Sequence, residues 1–313
     1  MIGLPEVEAA RRRIAPHIRR TPLVNAGPPP PFPEAAGRLT LKLESLQVTG
    51  SFKARGATNK VLSLPPERAA RGLVTASGGN HGLGVAYAGR IARAPVTIYL
   101  PENVPAAKAV KLERWGARVI REGAVWDDAN GAALAAAERE GLTYIHPFAD
   151  PAVIAGQGTT GLEILEDAPE TDLVLVAIGG GGLSAGVGTA VKALRPGIRV
   201  IGVEPFGAPT LFESLKAGRV VELPEVTTAA NTLAPRKSDE MNFEIIRRTL
   251  EGVVLVTDEE MREAARWLWF EMGIAAELSG AASLAALLSG RIRLDGVRSA
   301  CAIVCGSGTD GIT

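Results

Sequence analysis

The sequence predicts an α/β protein of two lobes, each an open, mostly parallel sheet flanked by helices. Three observations carry this. Nine short apolar runs recur along the chain, of the length and composition of strands buried on both faces. Longer segments with helical spacing separate them, the order expected of β-α-β units. The hydrophobic share is 46% of 313 residues, enough for a substantial buried core.

Taken in order, the first run is RLTLKLE at 38–44, preceded by GPPPPFP at 27–33, which reads as an extended polyproline surface loop. GLVTAS at 72–77 runs into a glycine-rich turn. APVTIYLP (94–101) and ARVI (117–120) enclose AAKAVKLERWG, an amphipathic helix stopped at Gly116, and so form a compact β-α-β unit. LTYIHP at 142–147 closes a first group of strands; DLVLVAI (172–178), IRVIGVE (198–204), GVVLVTD (252–258) and ACAIVCG (300–306) make a second. Nine parallel strands exceed one modest open sheet, so the groups divide near residue 146 into two sheets with a cleft between them. No internal repeat is visible.

Charge excludes several functions. Thirty-four basic and thirty-four acidic side chains cancel, so no whole-chain field would hold nucleic acid or an anionic membrane. The N-terminus carries Glu6, Glu8 and a run of arginines without the apolar core of a signal peptide, and no stretch reaches the roughly 18 apolar residues of a membrane span. A cytoplasmic location is expected. Cys301 and Cys305 lie four apart in a strand-like run, on one face but too far apart for a comfortable disulfide, and they have no histidine nearby to complete a zinc site. They read as small buried hydrophobes.

Two glycine turns and one lysine carry the chemistry. In TDLVLVAIGGGGLSAGVG a strand meets a helix through Gly179, Gly180, Gly181 and Gly182, where backbone N–H groups at the positive helix end can hold a phosphate. The same stretch imitates a dinucleotide fingerprint, with Gly180, Gly182 and Ala185 in GxGxxA and Glu204 about 20 residues on. TASGGNHG at 75–82 repeats the device, and its amides suit a carboxylate; Ser77 and Asn80 serve equally as helix caps there, and His81 as a packed histidine. In SLQVTGSFKARGA, Lys53 is one of only eight lysines. Beside a phosphate-binding turn, without a metal motif, it suits Schiff-base chemistry with an aldehyde carrying one phosphate, a description that pyridoxal phosphate meets. Pairing with Glu44 is the structural alternative.

SFKARGA, SGGNHG, HPFADPAVIAGQGT, GGGGL and ELSGAASLAAL, in this order over nearly the whole chain, resemble the serine/threonine dehydratase and serine racemase family, fold-type II pyridoxal-phosphate enzymes with a fold like the tryptophan synthase β chain. The resemblance implies a large cofactor-binding lobe of 1–65 with 150–313 and a small lobe, 66–149, inserted in it. It implies Lys53 as the lysine linked to the cofactor aldehyde, Phe52 packed at the ring, Asn80 at the phenolic oxygen, Gly179 to Gly182 with Leu183 around the phosphate, and Cys305 at the pyridine nitrogen. Ser77, Gly78, Asn80 and His81 would bind the substrate. The implied reaction is elimination from L-threonine or L-serine: the freed Lys53 amine removes the Cα proton, hydroxide leaves with a proton from an acid such as the cofactor phosphate, and 2-oxobutanoate or pyruvate forms with ammonia. A neutral thiol at the ring nitrogen makes the ring a weaker electron sink than a carboxylate would, which favours elimination over long-lived carbanions.

Departures from the family pattern modify these expectations. Racemases carry a second serine directly after the first, and here Gly78 stands there. Members that bind a divalent ion use a Glu, a carbonyl and an acid; Glu204 and Ala208 match, but Thr210 replaces the acid. AANTLA at 229–234 stands where ADGLA is common, and Leu278 where proline is common. The eight residues after Cys305 leave no room for the regulatory domain of biosynthetic threonine dehydratases, so feedback control through one is not expected. A homodimer or homotetramer is implied. Serine racemase and 3-hydroxyaspartate dehydratase remain alternatives within the family; a nicotinamide-dependent oxidoreductase and an idle metabolite-binding protein remain outside it.

Overall fold

The computed structural model describes residues 2–26, 38–294 and 296–312, so the polyproline loop at 27–33 lies outside the described residues. Helix α1 (Leu4–Ile14) opens the chain, and β1 (Leu23–Asn25) runs antiparallel to β2 (Arg38–Leu43). Helices α2 (Lys53–Leu62) and α3 (Pro66–Arg71) lead to a strict alternation: β3 (Leu73–Ala76), α4 (Asn80–Ala92), β4 (Val96–Leu100), α5 (Ala106–Arg114), β5 (Arg118–Arg121), α6 (Trp126–Glu140) and β6 (Thr143–Tyr144). Then come α7 (Pro151–Asp167), β7 (Leu173–Ala177), α8 (Gly182–Leu194), β8 (Arg199–Pro205), α9 (Thr210–Ala217) and α10 (Glu240–Thr249). Strand β9 (Gly252–Val256), α11 (Asp258–Met272), α12 (Leu278–Leu288) and β10 (Ser299–Val304) finish the fold.

Local chemistry explains the boundaries that matter. Asp150 accepts from the amide of Ala152 at 2.8 Å and Pro151 occupies the first turn, which starts α7. Thr257 and Glu260 cap each other's backbone at the start of α11, and Gly273 ends that helix in the left-handed region. All five residues of β7 and all six of β10 are buried, as strands covered on both faces must be.

Two sheets result, mixed α/β and parallel as expected except for β1. One has the order β1-β2-β10-β7-β8-β9 and the other β5-β4-β3-β6. The division near residue 146 is corrected in one respect. β2 belongs with the later strands, because β10 pairs with it in parallel register over Ser299–Val304 and inserts between it and β7. No periodicity in the sequence reports a partner so distant. Each sheet has its own core, one around Leu41, Val174, Leu175, Leu284 and Ile303, the other around Leu73, Ile98, Leu100 and Leu112. The segments singled out for chemistry all follow carboxyl ends of strands, 45–53 after β2, 77–80 after β3, 179–182 after β7 and 305 after β10, where open α/β sheets bind ligands.

Candidate active site

Lys53 is the first residue of α2, and the segment before it is laced to the end of β10. Ser51 bridges to Gly306, the Phe52 amide donates to the Cys305 carbonyl at 3.2 Å, and the Ser307 amide to the Gly50 carbonyl at 2.8 Å. The lysine and Cys305 thus become neighbours. Lys53 does not pair with Glu44. Its Nζ donates to the Pro147 carbonyl at 2.8 Å and stands 5.0 Å from the centre of the Phe52 ring. Burial pushes the amine down to about 8, against opposing pulls from Cys305 and Glu277.

Glu44 is occupied by Arg55, two residues beyond the lysine on the same helix. The fully buried guanidinium donates to both Glu44 oxygens at 2.7 Å and to Glu163 at 2.7 and 2.8 Å. Lys42 adds a bond to Glu163 at 2.6 Å, so two cations balance two carboxylates. This knot joins β2, α2 and α7 and fixes the helix that begins with Lys53. Sequence reasoning missed it; the signal was Glu163, a lone charge inside the apolar helix VIAGQGTTGLEIL.

The tetraglycine loop is shaped by Phe148. A Cβ on Gly180 would lie 2.2 Å from that ring, and Gly181, at φ +92°, occupies the left-handed region before α8. Asn242 clasps the loop by donating to the Gly180 carbonyl at 2.7 Å and the Phe148 carbonyl at 3.3 Å. Pro147 and Phe148 therefore connect the lysine to the glycines. His146 Nδ1 accepts the amides of Phe148 and Ala149 at 3.2 and 2.8 Å, which sets this turn.

On the other side, Asn80 begins α4 and donates through Nδ2 to Glu277 at 2.8 Å. The Gly79 amide reaches Ser77 Oγ at 3.3 Å. Gly78 leaves room for little: a Cβ there would meet Val104 at 3.2 Å and Leu100 at 3.3 Å. His81 is buried, with Nε2 bonded to the Ile145 carbonyl at 2.9 Å, and burial with the nearby Lys53 charge pushes it down to about 3. It is neutral and its N–H is taken by the backbone. Cys305 Sγ donates to the Ser279 carbonyl at 3.4 Å; burial and the charge of Glu277 push the thiol up, so it stays neutral. Both cysteines are free and buried.

Glu204 lies apart from this cluster. Its oxygens accept the amides of Leu211 and Phe212 at 2.9 and 2.8 Å, capping α9, and burial raises it to about 8. A fully buried cap cannot serve a ribose, which removes the dinucleotide reading. Thr210 Oγ1 donates to the Pro235 carbonyl, and among the described residues no group of three or more His, Cys, Asp or Glu could hold a metal, so the Glu204 carboxyl and Ala208 carbonyl gain no second acid.

Comparison with known proteins decides the family. The pyridoxal-phosphate dependent enzyme family matches residues 14–306. The chain belongs to this family. It is 41% identical to an L-threonine ammonia-lyase of Thermotoga maritima over 289 residues, 92% of this chain and 72% of that one. It superposes on maize serine racemase with a TM-score of 0.92 and 32% identity, covering 98% of this chain and 93% of that one. For the processed form of threonine deaminase isoform 2 from Solanum lycopersicum the TM-score is 0.90 at 33% identity, with 97% of this chain and 83% of that one covered. As a pyridoxal-phosphate enzyme the chain presents residues that fit the cofactor. It offers an amine of lowered proton affinity, a glycine loop whose Gly180 has no room for a side chain against Phe148, an amide donor at Asn80 and a neutral thiol at Cys305.

Proposed function

We propose that this pyridoxal-phosphate enzyme is an L-threonine or L-serine ammonia-lyase that converts a β-hydroxy amino acid to its 2-keto acid and ammonia. The likeness to the Thermotoga maritima enzyme supports the substrate class. The observation that carries the chemistry is the lacing of Ser51-Phe52 to Cys305-Gly306, which puts an amine of lowered proton affinity beside a neutral thiol. We read the two sheets as two lobes, 1–65 with 150–313 and 66–149, between which the substrate enters.

Each residue then has a task. Bound pyridoxal phosphate supplies an electron sink for the substrate Cα. Gly179 to Gly182 and Leu183, at the start of α8, hold its phosphate by backbone amides and the helix dipole. Phe52 would pack at its ring, Asn80 would donate to its phenolic oxygen and Cys305 would face its nitrogen without a charge. Ser77, Gly78 and the first amides of α4 take the substrate carboxylate. Lys53, half-buried and near 8, is neutral in part at physiological pH, takes the Cα proton and holds it. The β-hydroxyl leaves as water with one proton, matching the one taken from Cα, and the released enamine tautomerises and is hydrolysed to keto acid and ammonia. The water lost in elimination is thereby regained.

Dehydration is preferred over racemisation because Gly78 offers no acid or base on the face opposite Lys53. A homodimer or homotetramer remains our reading of the assembly, supported by exposed Trp269 and Phe270 on α11 and checked by light scattering. No described helix is long and apolar enough to cross a membrane, and a cytoplasmic location is our reading of the sequence. The test of function is a panel of L-threonine, L-serine and 3-hydroxyaspartate scored for keto acid and, by chiral chromatography, for D-amino acid. We expect keto acid from threonine or serine, and a pyridoxyl adduct on Lys53 after borohydride reduction and peptide mapping. D-serine at a rate comparable to pyruvate, or an adduct on another lysine, overturns the reading.

A further inference from the structure

Glu277 has no task in the reaction above, yet it is the most heavily hydrogen-bonded side chain beside Asn80. One oxygen, Oε1, accepts from Asn80 Nδ2 at 2.8 Å, Ser279 Oγ at 2.8 Å and Thr232 Oγ1 at 3.3 Å. The three donors come from α4, from the first turn of α12 and from the short turn 231–233. Thr232 and Ser279 also lie within hydrogen-bond distance of one another, and since each hydroxyl has a single proton, two of the three contacts among Thr232, Ser279 and Glu277 are made at a time. Space is tight as well. A Cβ on Gly306 would stand 2.3 Å from Glu277 Oε1 and 3.2 Å from Asn80 Nδ2, so the residue after Cys305 has to be glycine for this pair to exist.

The chemistry of the pair is directional. An oxygen that takes a hydroxyl proton and carries none of its own can face only the NH₂ end of an amide, never its carbonyl. Asn80 is therefore fixed with Nδ2 toward Glu277, and the second hydrogen of the same nitrogen is left for another acceptor. A freely turning asparagine would offer its carbonyl about as readily, and a carbonyl facing a phenolic oxygen repels it. The conclusion does not depend on whether Glu277 is ionised, because a proton on the carboxyl would sit on Oε2. Burial and Asp310 raise its proton affinity while the three donors lower it.

We propose that Glu277 is a positioning residue which locks the Asn80 amide with an N–H available to the phenolic oxygen of the cofactor, and that Thr232 and Ser279 hold Glu277 in place. This rests on the reading that Asn80 meets that oxygen. Thr232 occupies the turn AANTLA at 229–234, whose sequence departs from the family pattern.

The test is a double-mutant cycle on the dissociation constant for pyridoxal phosphate, with the visible absorption band of the loaded protein as a second readout. Asn80→Ala and Glu277→Leu should each weaken binding roughly tenfold, as loss of a hydrogen bond to a charged group does. The double variant should be no weaker than the worse single one, because both remove the same contact. Glu277→Gln keeps an oxygen for the asparagine and should stay within about threefold, with the band unmoved. Glu277→Met substitutes for Glu277→Leu if the latter does not fold. Additive losses, or unchanged binding and band in Glu277→Leu, overturn the proposal. Asn80→Ala separates the underlying reading: unchanged binding and band in that variant overturn the contact of Asn80 with the phenolic oxygen, whereas a weakened Asn80→Ala beside an unchanged Glu277→Leu overturns only the role of Glu277.

Discussion

Replacing Lys53, to which we assign the proton transfer, should stabilise the cofactor-free protein. Lys53 stands near 8 instead of its ordinary 10.5 because burial penalises the ammonium more than Cys305 and Glu277 compensate. At about 1.4 kcal/mol for each tenfold change in proton affinity, that gap is worth at most about 3 kcal/mol, and less because the side chain is half-buried and water screens it. The sign follows from proton counts. Below pH 8 the lysine is charged in both folded and unfolded chains, and the fold bears the full penalty. Between 8 and 10.5 the unfolded chain holds more protons, so stability rises with pH; above 10.5 the penalty is gone. Lys53→Met, apolar and similar in length, removes the charge altogether. Urea unfolding of both cofactor-free proteins at intervals from pH 7 to pH 10.5 should show the variant more stable by about 1 to 3 kcal/mol at pH 7, the difference closing toward pH 10.5. Tyrosine and cysteine ionisation is common to both proteins and cancels. A difference that is absent at pH 7, or that stays constant across the range, would refute the desolvated amine.

Three further outcomes are expected. Arg55→Leu strands Glu44 and Glu163 around Lys42 and should cost about 3 to 5 kcal/mol at neutral pH. Burial alone would raise Glu163, but Arg55 and Lys42 hold it below the usual carboxylate range. Its contribution therefore exists above that range and fades as pH falls, so the gap between variant and wild type in denaturant melts should narrow toward pH 4. Cys305→Ser should keep most keto-acid production and Cys305→Asp lose it in steady-state kinetics, since aspartate brings a charge to the ring nitrogen and beside Glu277; equal rates for the two would show that this partner does not steer the reaction. Gly78→Ser should raise D-serine formation from L-serine, measured by chiral chromatography. The backbone at Gly78 lies outside the left-handed region, and Val104 and Leu100 need give only a few tenths of an ångström.

Much of this molecule is legible in its sequence, and what is hidden follows a rule. The strands from RLTLKLE to ACAIVCG are visible because apolar runs between helical patterns report burial locally. Strand β1, only Leu23–Asn25, is too short to alternate and was not expected. The membership of β2 depends on β10, far along the chain, and composition near residue 38 carries no trace of it. The same holds at the candidate site. Lys53, Asn80 and the glycine loop announce themselves by motif, whereas Glu277, Pro147 and Arg55 matter through partners on other elements. Glu44 illustrates the trap: sequence proximity offered it to Lys53, and the fold gives it to Arg55.

The insertion of β10 between β2 and β7 also governs when the enzyme can be born. A ribosome that has just made Lys53 must add 252 more residues (305 less 53) before Cys305 exists, roughly 10 to 50 s of translation. Until then β2 and β7 lack the strand that joins them, each with an unpaired edge open to neighbouring chains, and the first half of the cofactor site waits beside a gap. β3 to β6 with their helices have no such dependence and can close as soon as they emerge. A ribosome stalled between residues 150 and 299 should therefore carry a chain with that second sheet folded, no capacity to retain pyridoxal phosphate, and a strong appetite for chaperones.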